Sequence, residues 1–295
     1  MRLLLAALLP LAFASSDPAL LTRIPTPPAP CGVGSGYGAV WVATDGGGTV
    51  SRVDPTRNRV TRSIRVGRSA CTLAVGAGAI WTIRYRANEV VRIDPKTARV
   101  RRLKVGRVPS DVLVAAGSLW VTSWEDRTLA RIDPGKLRIT GVVTLPARPL
   151  GLLFLDGSLW VGSGKDSTEV FRVDPTTLGV VRVPVHATAP GWFVAGARDV
   201  WVVTSQDSVV RIDPTTNSVV ATLPVRGVPV EGATAPDGLL WIPSKQANTI
   251  TRIDPVDNRV VGVLPAGPGA YVAHRAFGSM WVTSYAGADV RRYRP

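Results

Sequence analysis

Residues 117–134 read GSLWVTSWEDRTLARIDP, and this stretch decides the fold because its pattern recurs along the chain. The same tryptophan returns at intervals of 39 to 41 residues, at Trp41, Trp81, Trp120, Trp160, Trp201, Trp241 and Trp281. After six of the seven tryptophans comes the tetrad Arg-(Ile/Val)-Asp-Pro, and after the seventh a degenerate copy, residues 292–295. The chain therefore consists of seven repeats of about forty residues.

Each repeat predicts four short strands. In the second repeat they are residues 72–75, 79–83, 89–93 and 100–105, where β-branched residues are frequent and glycine or Asp-Pro marks the turns. No segment after the amino-terminal stretch keeps the apolar spacing of a helix. Four strands in about forty residues are typical of a propeller blade. We predict an all-β fold, a seven-bladed β-propeller of four-stranded antiparallel blades, with residues 19–295 as one domain.

The last repeat ends at Pro295 after its third predicted strand, so its fourth strand must come from elsewhere. Residues 20–24 match the fourth strand of a repeat when the first repeat is aligned with the third. We therefore expect the mature amino-terminal strand to complete the last blade and close the ring.

The recurrent residues have structural explanations. A tryptophan in every second strand is expected to pack between blades. The aspartate before proline is expected to accept backbone hydrogen bonds in a turn, because proline cannot continue the ladder. The arginine two residues earlier can pair with carbonyls or a carboxylate of its own or the next blade.

Composition limits the chemistry. The 295 residues are 45% hydrophobic and 19% charged, which is enough to bury a core. Two cysteines and two histidines are too few for a zinc site built from those side chains alone.

Cys31 and Cys71 each lie ten residues before a repeat tryptophan, so we predict a disulfide between neighbouring blades; two small buried thiols are the alternative. His274 is interpreted as a satisfied or channel-lining side chain.

The amino terminus indicates export. Arg2 precedes an apolar stretch too short to span a bilayer, and Ala12-Phe13-Ala14 is typical of a signal-peptide cleavage site. We predict a signal peptide over residues 1–14, a linker over residues 15–18, and a secreted, periplasmic or cell-envelope protein without a transmembrane anchor. A buried amino-terminal helix is the alternative, against which Pro10 argues.

The formal net charge of +14 raises the question of an anionic partner. Positive charge is concentrated in the fourth strands of the first two repeats and in the turns before them, where five arginines lie: Arg59, Arg62, Arg99, Arg101 and Arg102. No basic run is interleaved with aromatic residues, so we expect no nucleic-acid binding. Weak attachment to anionic cell-envelope polymers stays open, and we expect a monomer.

Loops at one end of the ring vary most between repeats. This end, called the top face, carries the start of each inner strand and the turn after each second strand. Four residues after each tryptophan the chain has Asp45, Tyr85, Trp124, Gly164, Ser205, Lys245 and Tyr285. Such variation on a uniform frame predicts a recognition surface, although loop tips also drift without function.

Eleven residues are the candidates for ligand binding on this face. Four aromatic residues could wall a pocket, and Trp124 and Trp192 are favoured because they are the only tryptophans outside the repeat phase, although either could be packing. The candidates are Arg84, Tyr85, Trp124, Glu125, Asp126, Asp166, Trp192, Asp207, Glu231, Tyr271 and Tyr285.

The repeats GSLWVTS, V-x-RIDP-T-T-N and a strand ending in VG resemble exported bacterial propellers of the YVTN and virginiamycin B lyase-like superfamily. The resemblance covers residues 20–295. It implies the propeller fold and, for the streptogramin lyase of that group, a magnesium-dependent C–O elimination by histidine and glutamate at the starts of inner strands. Here those positions carry no histidine, and only Glu231 matches in type, so no catalytic residue is carried over.

Two functions follow. The first is a non-catalytic propeller without a cofactor that binds a protein, glycan or small molecule through its top-face loops. The alternative is a lyase or hydrolase with Mg²⁺ or Ca²⁺ on Asp111, Glu125, Asp126 and Glu231, since these ions prefer oxygen ligands.

Overall fold

A computed structural model describes residues 19–196 and 198–295. The predicted signal peptide and linker lie outside these residues. The described chain forms seven four-stranded antiparallel sheets around a central channel, as predicted from the repeats. In this part of the chain, no helix has the length and apolar character needed to cross a membrane.

The strands are numbered along the chain, and each blade runs from its inner strand at the channel to its outer strand at the rim. The chain opens with β1 (Ala19–Pro25). Blade 1 contains β2 (Pro30–Gly36), β3 (Ala39–Thr44), β4 (Thr49–Asp54) and β5 (Arg59–Arg65); blade 2 contains β6 (Ala70–Gly76), β7 (Ala79–Arg84), β8 (Glu89–Ile93) and β9 (Val100–Lys104). Blade 3 contains β10 (Pro109–Ala115), β11 (Ser118–Ser123), β12 (Thr128–Asp133) and β13 (Arg138–Thr144); blade 4 contains β14 (Pro149–Leu155), β15 (Ser158–Ser163), β16 (Glu169–Val173) and β17 (Val180–Pro184). Blade 5 contains β18 (Pro190–Ala195), β19 (Val200–Thr204), β20 (Ser208–Asp213) and β21 (Ser218–Pro224); blade 6 contains β22 (Ala233–Thr234), β23 (Leu240–Ser244), β24 (Thr249–Asp254) and β25 (Arg259–Pro265). Blade 7 contains β26 (Ala270–Ala276), β27 (Ser279–Ser284) and β28 (Asp289–Arg294).

The ring closes as the sequence predicts. Strand β1 pairs antiparallel with β28, from Ala19 opposite Arg294 to Pro25 opposite Asp289. Blade 7 thus takes its outer strand from the other end of the described chain, and the edge of β28 is paired. Unfolding this blade requires separating both ends of the domain.

The repeat tryptophans pack between blades. All seven are at most 1% exposed. Trp41 of blade 1 packs against Ile80 and Val91 of blade 2, and Trp281 of blade 7 packs in a cluster with Val40 of blade 1. Burial of these rings supplies much of the apolar contact that holds neighbouring sheets together.

In blades 3, 4, 5 and 7 the recurrent arginine joins its blade to the next. Arg172 lies over the ring of Trp160, with its guanidinium carbon 5.5 Å from the ring centroid, and donates to the backbone carbonyl of Pro214 at 2.6 Å. Arg292 repeats this across the closure, over Trp281 and onto the carbonyl of Pro55 at 2.6 Å. Charged donors to buried carbonyls are among the stronger hydrogen bonds, so this arginine is part of the scaffold.

The Asp-Pro sequences close the turns between third and outer strands. In blade 1, Asp54 Oδ1 accepts from the amides of Thr56 at 2.9 Å and Arg57 at 3.0 Å. These backbone hydrogen bonds hold the pKa of Asp54 below its usual value. Turns of this type recur at Asp94, Asp133, Asp174 and Asp254.

Cys31 and Cys71 form the predicted disulfide, with their Cα atoms 5.4 Å apart. The bond joins the inner strands of blades 1 and 2 near the top face. Disulfides of this kind persist mainly outside the reducing cytosol.

Candidate functional site

A pocket of roughly 430 Å³ opens on the top face above the channel. All seven blades contribute to it, because every inner strand starts here and every second strand ends here. Its side chains are Asp45, Cys71, Thr72, Ile83, Tyr85, Val108, Pro109, Ser110, Trp124, Leu150, Trp192, Lys245, Tyr271 and Tyr285.

Five of the predicted site residues meet in this pocket. Tyr85, Trp124 and Trp192 come from blades 2, 3 and 5, while Tyr271 and Tyr285 come from blade 7. The rings of the last two have centroids 5.7 Å apart. Aromatic walls of this kind bury the apolar faces of a ligand and lose little side-chain entropy on binding.

Asp45 supplies the polar anchor of the pocket. Its carboxylate accepts hydrogen bonds from the hydroxyls of Tyr85 at 3.2 Å and Tyr285 at 3.0 Å. Burial, together with these contacts to Asp45, raises the pKa of Tyr285 to about 12, and the pKa of Tyr85 is also raised. Both phenols therefore stay neutral and their rings are fixed in place.

Lys245 lies against the aromatic faces of Tyr271 and Tyr285. Its Nζ lies 5.2 Å from the centroid of Tyr271 and 5.2 Å from that of Tyr285. A cation placed between two rings in this way is held by their negative faces. The pocket therefore carries one anchored negative charge, Asp45, and one positive charge, Lys245, on mostly apolar walls.

Trp124 is positioned by its neighbours. Its ring lies where a side chain at position 164 would begin, which explains the glycine there. The guanidinium carbon of Arg148 lies 5.8 Å from the ring centroid. Together these contacts keep the indole between blades 3 and 4, facing the pocket.

Three predicted polar residues lie outside the pocket lining and are paired with neighbouring residues. Arg84 Nη1 donates to Glu89 at 2.6 Å, and Arg107 donates from both its amide and its Nε to Asp126, at 2.8 and 2.6 Å. Glu125 lies 3.9 Å from Arg148 Nη2.

Two more predicted residues also lie outside the pocket lining. Asp207 accepts from the amides of Gly227 and Val228, both at 3.0 Å, and so fixes the connection from blade 5 to blade 6. Asp166 lines a separate groove on blade 4 with Lys165, Glu169 and Arg182. The five predicted polar residues outside the pocket lining therefore lie in or beside the loops and do not converge on one ligand position.

Glu231 marks the passage from the pocket to the channel. It lines both a narrow space beneath Trp192 and Tyr271 and the channel cavity of roughly 210 Å³ below. The inner strand of blade 6 is reduced to two residues, and Glu231 lies in the irregular segment before it. The amide of Ala273 donates to the Glu231 carbonyl at 3.1 Å, which holds this segment against blade 7.

Asp111 lies in the same channel cavity. The amides of Val112 and Leu152 donate to its two carboxyl oxygens, both at 2.8 Å. Burial raises the pKa of Asp111 to about 7 against the effect of these hydrogen bonds. Burial, with the neighbouring Asp111 charge, raises the pKa of Glu231 to about 8. The channel therefore holds, below an aromatic pocket, two carboxyl groups that bind their protons more tightly than exposed carboxyl groups do.

His274 lies in the channel wall as interpreted from sequence. Its Nε2 is 2.9 Å from the Ser35 hydroxyl of blade 1. Burial lowers the pKa of His274 to about 4, so the imidazole is neutral and serves as a hydrogen-bonding partner between blades 7 and 1.

The arrangement of the blades matches that of solved lyases. No family model matches the chain, and no curated protein matches it in sequence. Among solved structures, a streptogramin B lyase superposes with a TM-score of 0.82 at 18% identity, over 94% of this chain and 97% of that one. The virginiamycin B lyase of Staphylococcus aureus gives 0.82 at 16% identity, over 95% and 100%. The fold is that of the virginiamycin B lyases.

The same fold carries other functions. Hydrazine synthase of Kuenenia stuttgartiensis gives a TM-score of 0.78 at 15% identity, over 98% of this chain and 99% of that one. A catalytically inactive variant of the S. aureus virginiamycin B lyase, solved with quinupristin, gives 0.82 at 17% identity, over 95% and 100%. At such identities the likeness establishes the fold alone, and function must be argued from the site.

The four carboxylates considered for a metal do not form one ligand set on this virginiamycin B lyase fold. Glu125 and Asp126 are each paired with an arginine, whereas Asp111 and Glu231 lie in the channel. Within residues 19–196 and 198–295, no three histidine, cysteine, aspartate or glutamate side chains are grouped to hold an ion. No chemical step is therefore assigned to a metal.

The sequence-based selection missed Asp45 and Lys245, the two charged groups that line the pocket. Both occupy the variable position four residues after a repeat tryptophan. Selecting every residue at this position would have identified Asp45 and Lys245, because five of the seven residues there line the pocket. Aromatic character was the weaker guide, since it ignored the charges.

Proposed function

We propose that this propeller is a binding protein that holds a small molecule, or a sugar-sized part of a glycan, in the top-face pocket. The observation that supports it most is the convergence of five aromatic side chains from four blades around one anchored carboxylate and one ammonium group. Pockets that bind small ligands combine mostly apolar walls with a few fixed polar groups.

The charges favour a ligand with little net charge. Asp45 and Lys245 balance each other, and the raised pKa values of Asp111 and Glu231 reduce the negative charge beneath the pocket at neutral pH. A neutral ring system, apolar on its faces and polar at its edge, fits these walls. Stacking on Trp192 and hydrogen bonds to Asp45 would then fix its orientation.

Tryptophan fluorescence offers a direct test. Seven of the nine tryptophans are buried between blades, so Trp124 and Trp192 are the two whose emission should respond to a ligand. We would titrate neutral oligosaccharides, aromatic small molecules and quinupristin, and follow emission and melting temperature together. A specific ligand should shift both, because binding stabilises the folded state by mass action.

Matched variants locate the effect. Trp192→Ala and Tyr285→Ala should weaken binding at least tenfold, whereas Tyr37→Ala should not, since Tyr37 is an exposed aromatic in the β2–β3 turn at the opposite end of blade 1. A ligand that stabilises Trp192→Ala and wild type equally would refute the pocket as its site.

Acid–base chemistry is the second candidate, and Glu231 is the observation that favours it. A carboxyl that titrates near neutral pH beneath a ligand pocket is suited to donate or accept a proton. Under this candidate wild type converts a bound depsipeptide such as quinupristin, while Glu231→Gln binds it without conversion. Binding by wild type with no product after prolonged incubation would eliminate the lyase.

Export completes the proposal. The disulfide supports an oxidising location, and the amino-terminal sequence predicts a signal peptide. The test is amino-terminal sequencing of the protein recovered from outside the cytosol; a start after Ala14 is expected, and an uncleaved chain confined to the cytosol would contradict it.

A further inference from the structure

The positive charge on the rim is concentrated on two neighbouring blades. Outer strands β5 and β9 carry six exposed cations, and the other five outer strands carry four between them. The six are Arg59, Arg62, Arg65, Arg101, Arg102 and Lys104, here called the basic seam. No acidic residue lies within either strand.

Two hydrogen bonds show that the two strands form one surface. Arg62 of blade 1 donates to the carbonyl of Thr97 in the turn of blade 2 at 3.4 Å. Arg102 of blade 2 donates back to the carbonyl of Val66 at 3.2 Å. The seam is therefore continuous across the boundary, and the turn residues Lys96 and Arg99 extend it.

The seam has too few carboxylates to neutralise it. Glu89 is shared among Arg84, Arg102 and Lys104. Arg59, Arg65 and Arg101 form no ion pair within the described residues. The outer strands β17 and β25 each carry one cation, and that cation forms an ion pair with a carboxylate. Arg182, for example, pairs with Glu169.

Protection of sheet edges does not explain the seam. Charged residues on outer strands can prevent edge-to-edge association. Four other outer strands instead expose valine at their rims, at Val142, Val181, Val220 and Val263. If the cations of β5 and β9 served to protect sheet edges, these four outer strands would need such charges at least as much as β5 and β9 do.

We propose that the basic seam binds a linear phosphodiester polymer through its charges alone. Each strand of five to seven residues extends for roughly 15 to 23 Å, so the cations are spread over a distance that a single small anion cannot bridge. Arginine pairs with phosphate through two parallel hydrogen bonds. No tryptophan, tyrosine or phenylalanine lies in β5 or β9, so the surface offers no stacking platform for nucleic-acid bases.

The test measures binding of fluorescently labelled poly(glycerol phosphate) by anisotropy at several salt concentrations. If all six cations engage phosphates, the logarithm of affinity should fall with the logarithm of salt with a slope of roughly −4, a loss of several hundredfold between 50 and 200 mM. A slope weaker than about −1 for the wild-type protein would overturn the proposal without any variant.

The seam variant is Arg59→Ser with Arg65→Ser and Arg101→Ser, which removes three cations whose side chains form no hydrogen bond to the part of the chain that the structure describes. Its slope should drop to roughly −2, with binding at 50 mM at least tenfold weaker. The matched control removes the same charge elsewhere, as Arg138→Ser, Arg226→Ser and Arg275→Ser.

The control should bind within threefold of wild type. Equal weakening by both variants would show that net charge, and not the seam, determines binding. A single-stranded DNA oligomer of matched charge should bind no more tightly than poly(glycerol phosphate), because the seam has no aromatic ring for base stacking. Clearly tighter binding of the DNA would make a nucleic acid the better occupant and overturn this one. Because the seam lies on the rim, neither outcome affects the proposal for the pocket.

Discussion

Replacing Glu231 with glutamine should make the protein more stable, and the gain should grow with pH. In the unfolded chain the carboxyl ionises near its usual value of 4.5, whereas burial and Asp111 raise the pKa in the folded chain to about 8. Between these values folding must take up a proton, so the free energy of unfolding of the wild type falls as pH rises from about 5 to about 8. Glutamine cannot ionise and escapes this loss.

The magnitude has an upper bound. The interval between 4.5 and about 8 corresponds to about 5 kcal/mol, at about 1.4 kcal/mol for each pH unit. Glu231 borders a water-accessible channel and can share a proton with Asp111, so about half of that, about 2 kcal/mol, is the expected gain at pH 9. At pH 5 the two proteins should differ by less than about 1 kcal/mol.

Urea unfolding at pH 5, 7 and 9, followed by tryptophan fluorescence, measures this gain as a change in midpoint at constant slope. Glu125→Gln is the control, because that carboxyl is exposed and only loosely paired with Arg148. A Glu231→Gln advantage that is the same at all three pH values would refute the buried-proton explanation.

Three further predictions concern the scaffold. Replacing Cys31 and Cys71 together with alanine should cost about 4 kcal/mol, because the bond closes a loop of about forty residues; unfolding in urea with and without reductant measures it, and no loss would argue against the bridge. Arg292→Ala should cost about 2 kcal/mol through its lost carbonyl hydrogen bonds and its stack on a tryptophan, with Arg23→Ala as the neutral control. Deleting residues 19–25 should lower the melting temperature and expose the edge of β28, so size-exclusion chromatography should show association; an unchanged monomer would contradict closure by β1.

The fold was predictable because its determinants repeat. Seven tryptophans in one phase fix the blade count, and the Asp-Pro turns fix the ends of third strands. In blade 2 the predicted strand over residues 89–93 matches β8, and the others differ from the observed bounds by no more than two residues. The shared phase of Cys31 and Cys71 also predicted their pairing correctly.

The polar part of the site was less predictable, because a side chain's partner depends on the neighbouring loop. Asp126 is bound by Arg107, nineteen residues earlier and in the loop that leads into the same blade. No periodicity reveals such a contact. The irregular inner strand of blade 6 breaks the repeat rule, and Glu231 lies beside the channel in the irregular segment before it.

One consequence of the repeat frame concerns engineering. The position four residues after each tryptophan places Asp45, Tyr85, Trp124, Lys245 and Tyr285 around one cavity, while the strands that carry them hardly differ. A combinatorial library randomised at these five codons would therefore vary the chemistry of the cavity without disturbing the β-ladders. Position 164 should remain glycine in such a library, so that members that keep the indole at position 124 have the space it needs.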